Sequence, residues 1–452
     1  MAAPRPAPAP VSDPAGSVAP VLLAGVAIRL LWLVAVHGSV DAVIGVGEAT
    51  RVALSVARGH GLADPFFAGQ GPSAHLMPLY PLVVGGLIRC FGSSSGGMLV
   101  LLAFALAQWA VTLLVARRLF AALGLSPAAL RRATLLLCLL PVYAPQEAID
   151  FRYWEGGVSA LLAMLSLWWI VTLDRAGVPG WTTLAGAAML AALTFLVAPP
   201  VGLAVCLCWG CWALRRLPAR RVAGFAVAGC CAVLLFVAPW AWRNERVLGS
   251  AITTRSNFGL ELAIANHPAA VSGRRPAETF AERLLAVHPF ASPTARVALR
   301  AEGEVAYSRR LGADTRRWIA AHPLDFARLY LRHLGQFLFP RPWQYYFSGW
   351  EALRVERAVI VSLVQALGLL GLAVLLVRRR RGAGYVALYV AAIALPFAAF
   401  QPTMRYSYLL WTLLAFAAAS LGAGGRMRQI GEPPHLASPA HHRVEDQPAE
   451  QA

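Results

Sequence analysis

The chain has no lysine: all 40 of its basic residues are arginine. Charge of either sign is scarce. Asp, Glu, Lys and Arg make up 14% of the 452 residues, against about 25% in a soluble protein. A string of soluble domains is therefore excluded. There is also no glycine-rich nucleotide loop, no Asp-x-Asp pair and no His-Glu zinc motif. A soluble nucleotide-sugar donor has no recognisable seat. The seven cysteines lie mostly inside apolar runs, and the cluster Cys206, Cys208, Cys211 has no histidine or carboxylate beside it. It reads as small buried hydrophobes, not as a metal site. A cleavable signal is missing too. Residues 1–17 are rich in Pro and Ala and read as a disordered tail. The apolar run after them is longer than a signal core and reads as a retained helix.

What the chain does have is hydrophobic length. It is 58% hydrophobic, and several runs approach the ~20 residues that cross a bilayer as helix. The expected fold is an all-α polytopic membrane protein with about ten spans. Spans one to seven fill 18–242, with an outer loop at 38–96. Residues 243–357 are too polar for lipid and form an outer region. Spans eight to ten fill 358–423, and 424–452 read as a disordered cytoplasmic tail. The net charge is +18. In a soluble protein that would suggest nucleic acid. Here the arginines sit at span ends: 117/118, 131/132, 175, 215/216, 220/221, 378–381 and 426/428. The positive-inside rule places those ends in the cytoplasm, so membrane lipid and not nucleic acid is the partner. Every acid-rich loop then falls on the other, outer face. Arg29 lies inside the first span, where it is either functional or paired within the bundle.

The first outer loop, residues 41–91, carries Asp41, Glu48, Arg51, Arg58, His60, Asp64 and His75 between apolar segments. Glu48, Arg51, Ser55 and Arg58 recur at helical spacing and predict an amphipathic helix at the membrane surface. Glu48 opens that helix, where the dipole favours a carboxylate that can act as a general base. The plainer reading pairs Glu48 with Arg51 on a solvated helix. His75 and Tyr80 line a pocket or are interface aromatics. A second patch holds Glu147, Asp150, Arg152 and Glu155. The outer region opens with Arg243, Arg255, Asn257, Glu261, Asn266 and His267 in a short span. Arginines beside a membrane suit a lipid-linked phosphate. Further on, TRRWIAAHPLDFARLYLRHLGQF reads as an amphipathic helical pair broken near Pro323 and packed on the membrane surface.

Several motifs in this order resemble a known group. The chain has EATRVALSVARGHGLADPF, then GPSA and PLYP, then WEGGVSALLAML, PWAWRN, RSNFGLELAIANHP, WIAAHPLDF and the pair Arg405 and Tyr406. The series resembles integral-membrane glycosyltransferases of the GT-C type. The similarity is to the family 39-like group, which includes protein O-mannosyltransferases and lipid A aminoarabinose transferases, and within it to an uncharacterised bacterial branch.

The resemblance implies a hexosyl- or pentosyltransferase in the bacterial inner membrane with its site facing outward. Such enzymes move a sugar from a polyprenyl-phosphate carrier to a hydroxyl on an acceptor lipid, glycan or protein, with inversion. An acid in the first outer loop is the base. Many relatives carry Asp there, often Asp-Glu. This chain has Glu48 after Gly47, with Asp41 as rival, and Glu155 stands where relatives often carry a second acid. A direct displacement needs one base and cationic support for the leaving phosphate. The candidate cations are Arg58, Arg243, Arg255 and Arg405. The candidate substrate contacts are Arg51, His75, Tyr80, Asn257, Glu261, Asn266, His267 and Tyr406. No cofactor is implied beyond the lipid-linked donor, no metal ligand is assigned, and the pattern does not decide a divalent metal requirement. Two other functions stand beside this one: a transporter or flippase of lipid-linked sugars, and a non-catalytic membrane binding protein. Transporters place ionisable groups near the midplane, whereas here only Arg29 sits deep.

Overall fold

The computed structural model describes residues 18–40, 47–140, 152–348, 353–400 and 403–422. They are helical throughout, with one isolated bridge between Ala63 and Pro72. The chain opens with α1 (Val18–His37), the short α2 (Glu48–Ala57) and α3 (Leu79–Phe91). Next come α4 (Ser95–Ala122), α5 (Pro127–Leu139), α6 (Gly156–Leu173), α7 (Trp181–Val197), α8 (Pro199–Arg216) and α9 (Ala219–Leu248). The segment expected on the outer side, the outer segment, holds α10 (Phe258–Ala265), α11 (Pro268–Ser272), α12 (Pro276–Val287), α13 (Pro293–Glu302), α14 (Glu304–Ala321) and α15 (Pro323–Leu338). A 3₁₀ turn at Pro342–Ser348 leads to α16 (Arg354–Val377), α17 (Ala383–Phe397) and α18 (Met404–Ala419).

Each expected span coincides with a helix. Five of them, α1, α4, α6, α9 and α16, are long and apolar enough to cross a membrane by length and composition. The other five, α5, α7, α8, α17 and α18, run from 13 to 18 residues. The architecture is that of a multi-pass helical membrane protein. α9 has 30 residues, about 45 Å of helix, and outruns a hydrocarbon core of ~30 Å. Its last turns, with Trp242, Arg243 and Arg246, therefore project past the bundle. In the outer segment, prolines set the punctuation. Pro268, Pro276, Pro293 and Pro323 each start a helix, where a missing N–H costs nothing. The expected break near Pro323 is the junction of α14 and α15.

Two apolar bodies are the largest among the described residues. The larger runs through α4 to α8 and α16 to α18, around residues such as Leu167, Ile170, Trp209, Tyr389 and Trp411. The smaller belongs to the outer segment and contains Leu260, Ile264, Phe280, Leu299 and Tyr307. Phe66 and Phe67 from the first loop insert into it, which ties that loop to the outer helices. α16 and α18 approach through Gly368 and Gly371. A Cβ at these positions would lie 2.5 Å from Leu414 O and 2.0 Å from Ala417 O.

Arg29 resolves to a packing role. It is 1% exposed and donates to Leu137 O at 2.9 Å and Cys138 O at 3.3 Å. These are carbonyls of the last turn of α5, which have no partner within their own helix. The guanidinium also lies 3.8 Å over the Trp109 ring. At the arginine-rich end, buried Asp174 accepts from Arg381 Nε and Tyr385 OH, each at 3.0 Å. Arg380 lies against Gly124 and Arg132 against Gly422, so these short-loop arginines gather at one end.

Candidate functional site

Glu48 begins α2 after the extended Gly47, where the helix dipole stabilises an ionised carboxylate. The helix lies where its spacing predicts, and it is amphipathic as expected. Its face with Val52 and Ala53 is buried and packs on α3. Gly85 permits this approach, since a Cβ there would lie 2.5 Å from Val56 and 2.8 Å from Ala53 O. Ser55 is buried as well and does not share the solvated side with Arg58.

The loop between α2 and α3 brings His75 to Glu48. Asp64, at φ 58°, accepts from Gly69 N at 3.2 Å and Gly71 N at 2.8 Å. This left-handed position suits Asp or Asn, whose short side chain bonds locally. Arg243 closes the base of the loop, donating to Leu62 O and Ser73 O at 2.8 Å each. Glu304 holds the other side. Its carboxylate accepts from Ala74 N at 2.9 Å, Gln70 Nε2 at 2.9 Å and Ser256 Oγ at 2.5 Å.

Thus fixed, His75 Nε2 lies 3.0 Å from Glu48 Oε2, and His288 Nε2 lies 3.1 Å from Oε1. Phe66 stands edge-on to both imidazoles, with centroids at 4.7 Å and 5.4 Å. Burial alone would raise the Glu48 carboxyl. The His75 charge and the hydrogen bonds from His288 and His75 outweigh it and hold it well below the usual carboxylate range. Burial alone would lower His75, but the charge and hydrogen bond of Glu48, with Glu304 and Glu261 beyond, raise it.

The second acid, Glu155, is 5% exposed and ion-pairs with Arg255 Nη2. Burial pulls the Arg255 guanidinium down from the usual arginine range, while Tyr406, Glu261 and Glu48 favour its charge and Arg405 opposes it. Its Nε is buried with no hydrogen-bond partner. Glu155, Arg255, Asn257, Glu261 and Tyr406 line one side of a cavity of about 550 Å³, within the ~300–1,000 Å³ of ligand pockets. Apart from Ser159 and Thr254, the rest of the lining is apolar and includes Pro199, Leu203, Leu207, Pro396 and Phe400. Leu203 and Leu207 are one helical turn apart on α8 and each is 56% exposed. The cavity therefore opens sideways through the bundle wall as well as towards the polar end.

The remaining predicted residues distribute as follows. Asn257 Nδ2 donates to Glu261 Oε1 at 3.2 Å. Arg405 lies 5.4 Å over both Trp154 and Tyr406. Arg51 lies 5.8 Å over Phe290. Arg58 caps the far end of α2, about 15 Å along the axis from Glu48. Arg243 spends its donors on the loop carbonyls and on Asn244 Oδ1. Tyr80 is buried in the α2–α3–α4 core. Asn266 ties α10 to Ala399 O at 2.9 Å. His267 lines a separate cavity of about 30 Å³ with His333, and burial lowers each of these imidazoles to about 4. Asp41, Glu147 and Asp150 lie outside the described residues. Among the described residues, no group of three or more His, Cys, Asp or Glu is placed to hold a metal ion. His288, Phe66 and Glu304 were not legible beforehand, because each acts across a long sequence separation with no local pattern.

No protein-family model matches the chain, and no curated protein matches it. Among solved structures, it is similar to the archaeal oligosaccharyltransferase AglB from Archaeoglobus fulgidus in complex with an inhibitory peptide and a dolichol-phosphate. That likeness has 15% identity and a TM-score of 0.49, over 89% of this chain and 50% of the other. The chain thus spans about half the length of that relative. It is also similar to ArnT from Cupriavidus metallidurans bound to undecaprenyl phosphate, with 15% identity and a TM-score of 0.36, over 90% of this chain and 77% of the other.

Proposed function

We propose that the chain is a membrane glycosyltransferase that moves a sugar from a polyprenyl-phosphate carrier to an acceptor hydroxyl at the outer face. The observation that carries this reading is Arg255. It stands at the polar end of an apolar, laterally open cavity, with one buried N–H donor unused. A lipid-linked phosphate has that shape and charge: an apolar chain for the wall of Leu203 and Leu207, and an anion for the guanidinium. The resemblance of the motif series supplies the reaction class.

Glu48 is the base. It takes the proton of the acceptor hydroxyl as that oxygen bonds to the anomeric carbon. The bond from that carbon to the phosphate oxygen breaks, and polyprenyl phosphate leaves on Arg255, with Arg405 beside it. The carrier is already a good leaving group, so one carboxylate suffices, unlike the pair in glycoside hydrolysis. Ion-paired to Arg255, Glu155 holds that cation in place. The lateral opening also suits a transporter, but the acids cluster at the outer end and not at the midplane.

The test uses purified protein in lipid nanodiscs with radiolabelled undecaprenyl-phosphate mannose and undecaprenyl-phosphate arabinose, each with a panel of hydroxyl acceptors. Release of undecaprenyl phosphate is expected with one of them, and Glu48→Gln abolishes it while the protein still folds. Full activity in that variant would refute the base assignment.

A further inference from the structure

Two imidazoles on one carboxylate are more than the reaction described above requires. His288 Nδ1 accepts from Phe290 N–H at 3.2 Å. That bond assigns the ring proton to Nε2, which donates to Glu48 Oε1 at 3.1 Å. On the other side His75 Nε2 meets Oε2 at 3.0 Å, and His75 Nδ1 is buried without a hydrogen-bond partner. One donor on each oxygen fixes the plane of the carboxylate. A carboxylate has about four acceptor sites, so each oxygen keeps one for an incoming hydroxyl. Glu48 is 20% exposed and remains reachable.

The two rings come from different parts of the chain. His75 belongs to the first loop, whereas His288 lies at the turn between α12 and α13 in the outer segment. Arg51, one helical turn after Glu48, lies over Phe290 of that same turn. α2 therefore grips the turn at two points. The titratable and charged groups facing Glu48 are His75, His288 and Arg255, with Arg51 on its own helix. Those facing His75 are Glu48, Glu304 and Glu261.

We propose that His288 is the positioning residue of the base, orienting Glu48 from the outer segment so that the site is complete only when the α12–α13 turn is seated on α2. This rests on the reading of Glu48 as base. It assigns His288 a role that no motif in the resemblance carries, and it makes the outer segment part of the catalytic geometry.

The experiment compares wild type, His288→Ala, His288→Gln and Glu48→Gln, using the donor from above that wild type turns over. A misplaced base costs roughly 10- to 100-fold. The expected result is a fall of that size in kcat for His288→Ala with KM unchanged. Its acid limb should also move to higher pH. Burial opposes ionisation of Glu48 and the imidazoles favour it, so losing one raises the pH at which the base is deprotonated. His288→Gln, which can place an amide N–H near Nε2, restores much of the rate. Unchanged kcat and pH profile in His288→Ala overturn the proposal. Equal loss in Ala and Gln with an unmoved acid limb overturns it too, as a structural effect only. If a chelator silences wild type and a divalent metal restores it, the imidazoles are ligands and the donor role falls. Glu48→Gln separates the levels: inactive, the base reading survives any failure of His288; fully active, the base reading itself fails.

Discussion

Replacing Arg255 by methionine separates what this arginine does for the fold from what it does for the donor. Glu155 is 5% exposed and ion-paired to it. Removing one partner of a buried pair leaves an uncompensated charge, at a cost of about 3–5 kcal/mol. The single variant is therefore expected to unfold earlier in nanodiscs. Adding Glu155→Gln removes the orphaned charge, and most of that stability should return, because the amide is uncharged and nearly the same size. Donor binding should not return. A charge-assisted hydrogen bond contributes about 1.5–3 kcal/mol, which is roughly 10- to 150-fold in Kd. The assay pairs thermal unfolding with binding of undecaprenyl phosphate to wild type, Arg255→Met and the double variant. The expected pattern is low stability and weak binding in the single variant, then near-normal stability and still-weak binding in the double. If the stable double variant binds within about threefold of wild type, the phosphate does not sit at Arg255 and the cavity has another occupant.

Two further outcomes follow from packing. Leu207→Trp narrows the lateral opening beside α8. It should raise the donor KM about tenfold with little change in stability, a loss of ~1.4 kcal/mol in binding, and should affect a short-chain donor least; equal effects at every chain length would count against a lipid chain in the cavity. Gly371→Val forces side-chain atoms against Ala417 O, which already lies 2.0 Å from a bare Cβ. Overpacking costs about 1–3 kcal/mol or more, read as a lower Tm and folded yield, whereas Gly229→Val, with nothing within 4 Å of its Cβ, should be tolerated.

The helices were legible because each is written locally. Each expected span found a helix, and α2 begins at Glu48 as the spacing implied. Proline at the first turn marks starts that any reading can find. The site was legible only in part. Glu48, Glu155 and Arg255 stood out as charges beside apolar segments. Their pairing did not, because Glu155 and Arg255 meet across 100 residues and spacing carries no information at that range. Arg243 misled for a similar reason. A guanidinium next to a membrane looks free in sequence, but this one is spent on two loop carbonyls. Arg29 is the reverse case, a deep charge whose partners are the backbone carbonyls of α5, which no side-chain pattern reveals.

Composition alone determined that this chain is a helical membrane protein, since apolar length in lipid leaves the backbone few alternatives to helix. The arginines at span ends set the expected orientation, and the polar loops between spans named the face on which chemistry was to be sought. Only the tertiary structure decided which of those polar residues meet. It brought His288 from the outer segment and His75 from the first loop onto the two oxygens of Glu48, and it set Arg255 at the head of an apolar cavity between α8 and α17. Those contacts depend on how the outer helices seat on the bundle, and that seating comes from side chains packing across long sequence separations, as where Phe66 and Phe67 enter the outer core.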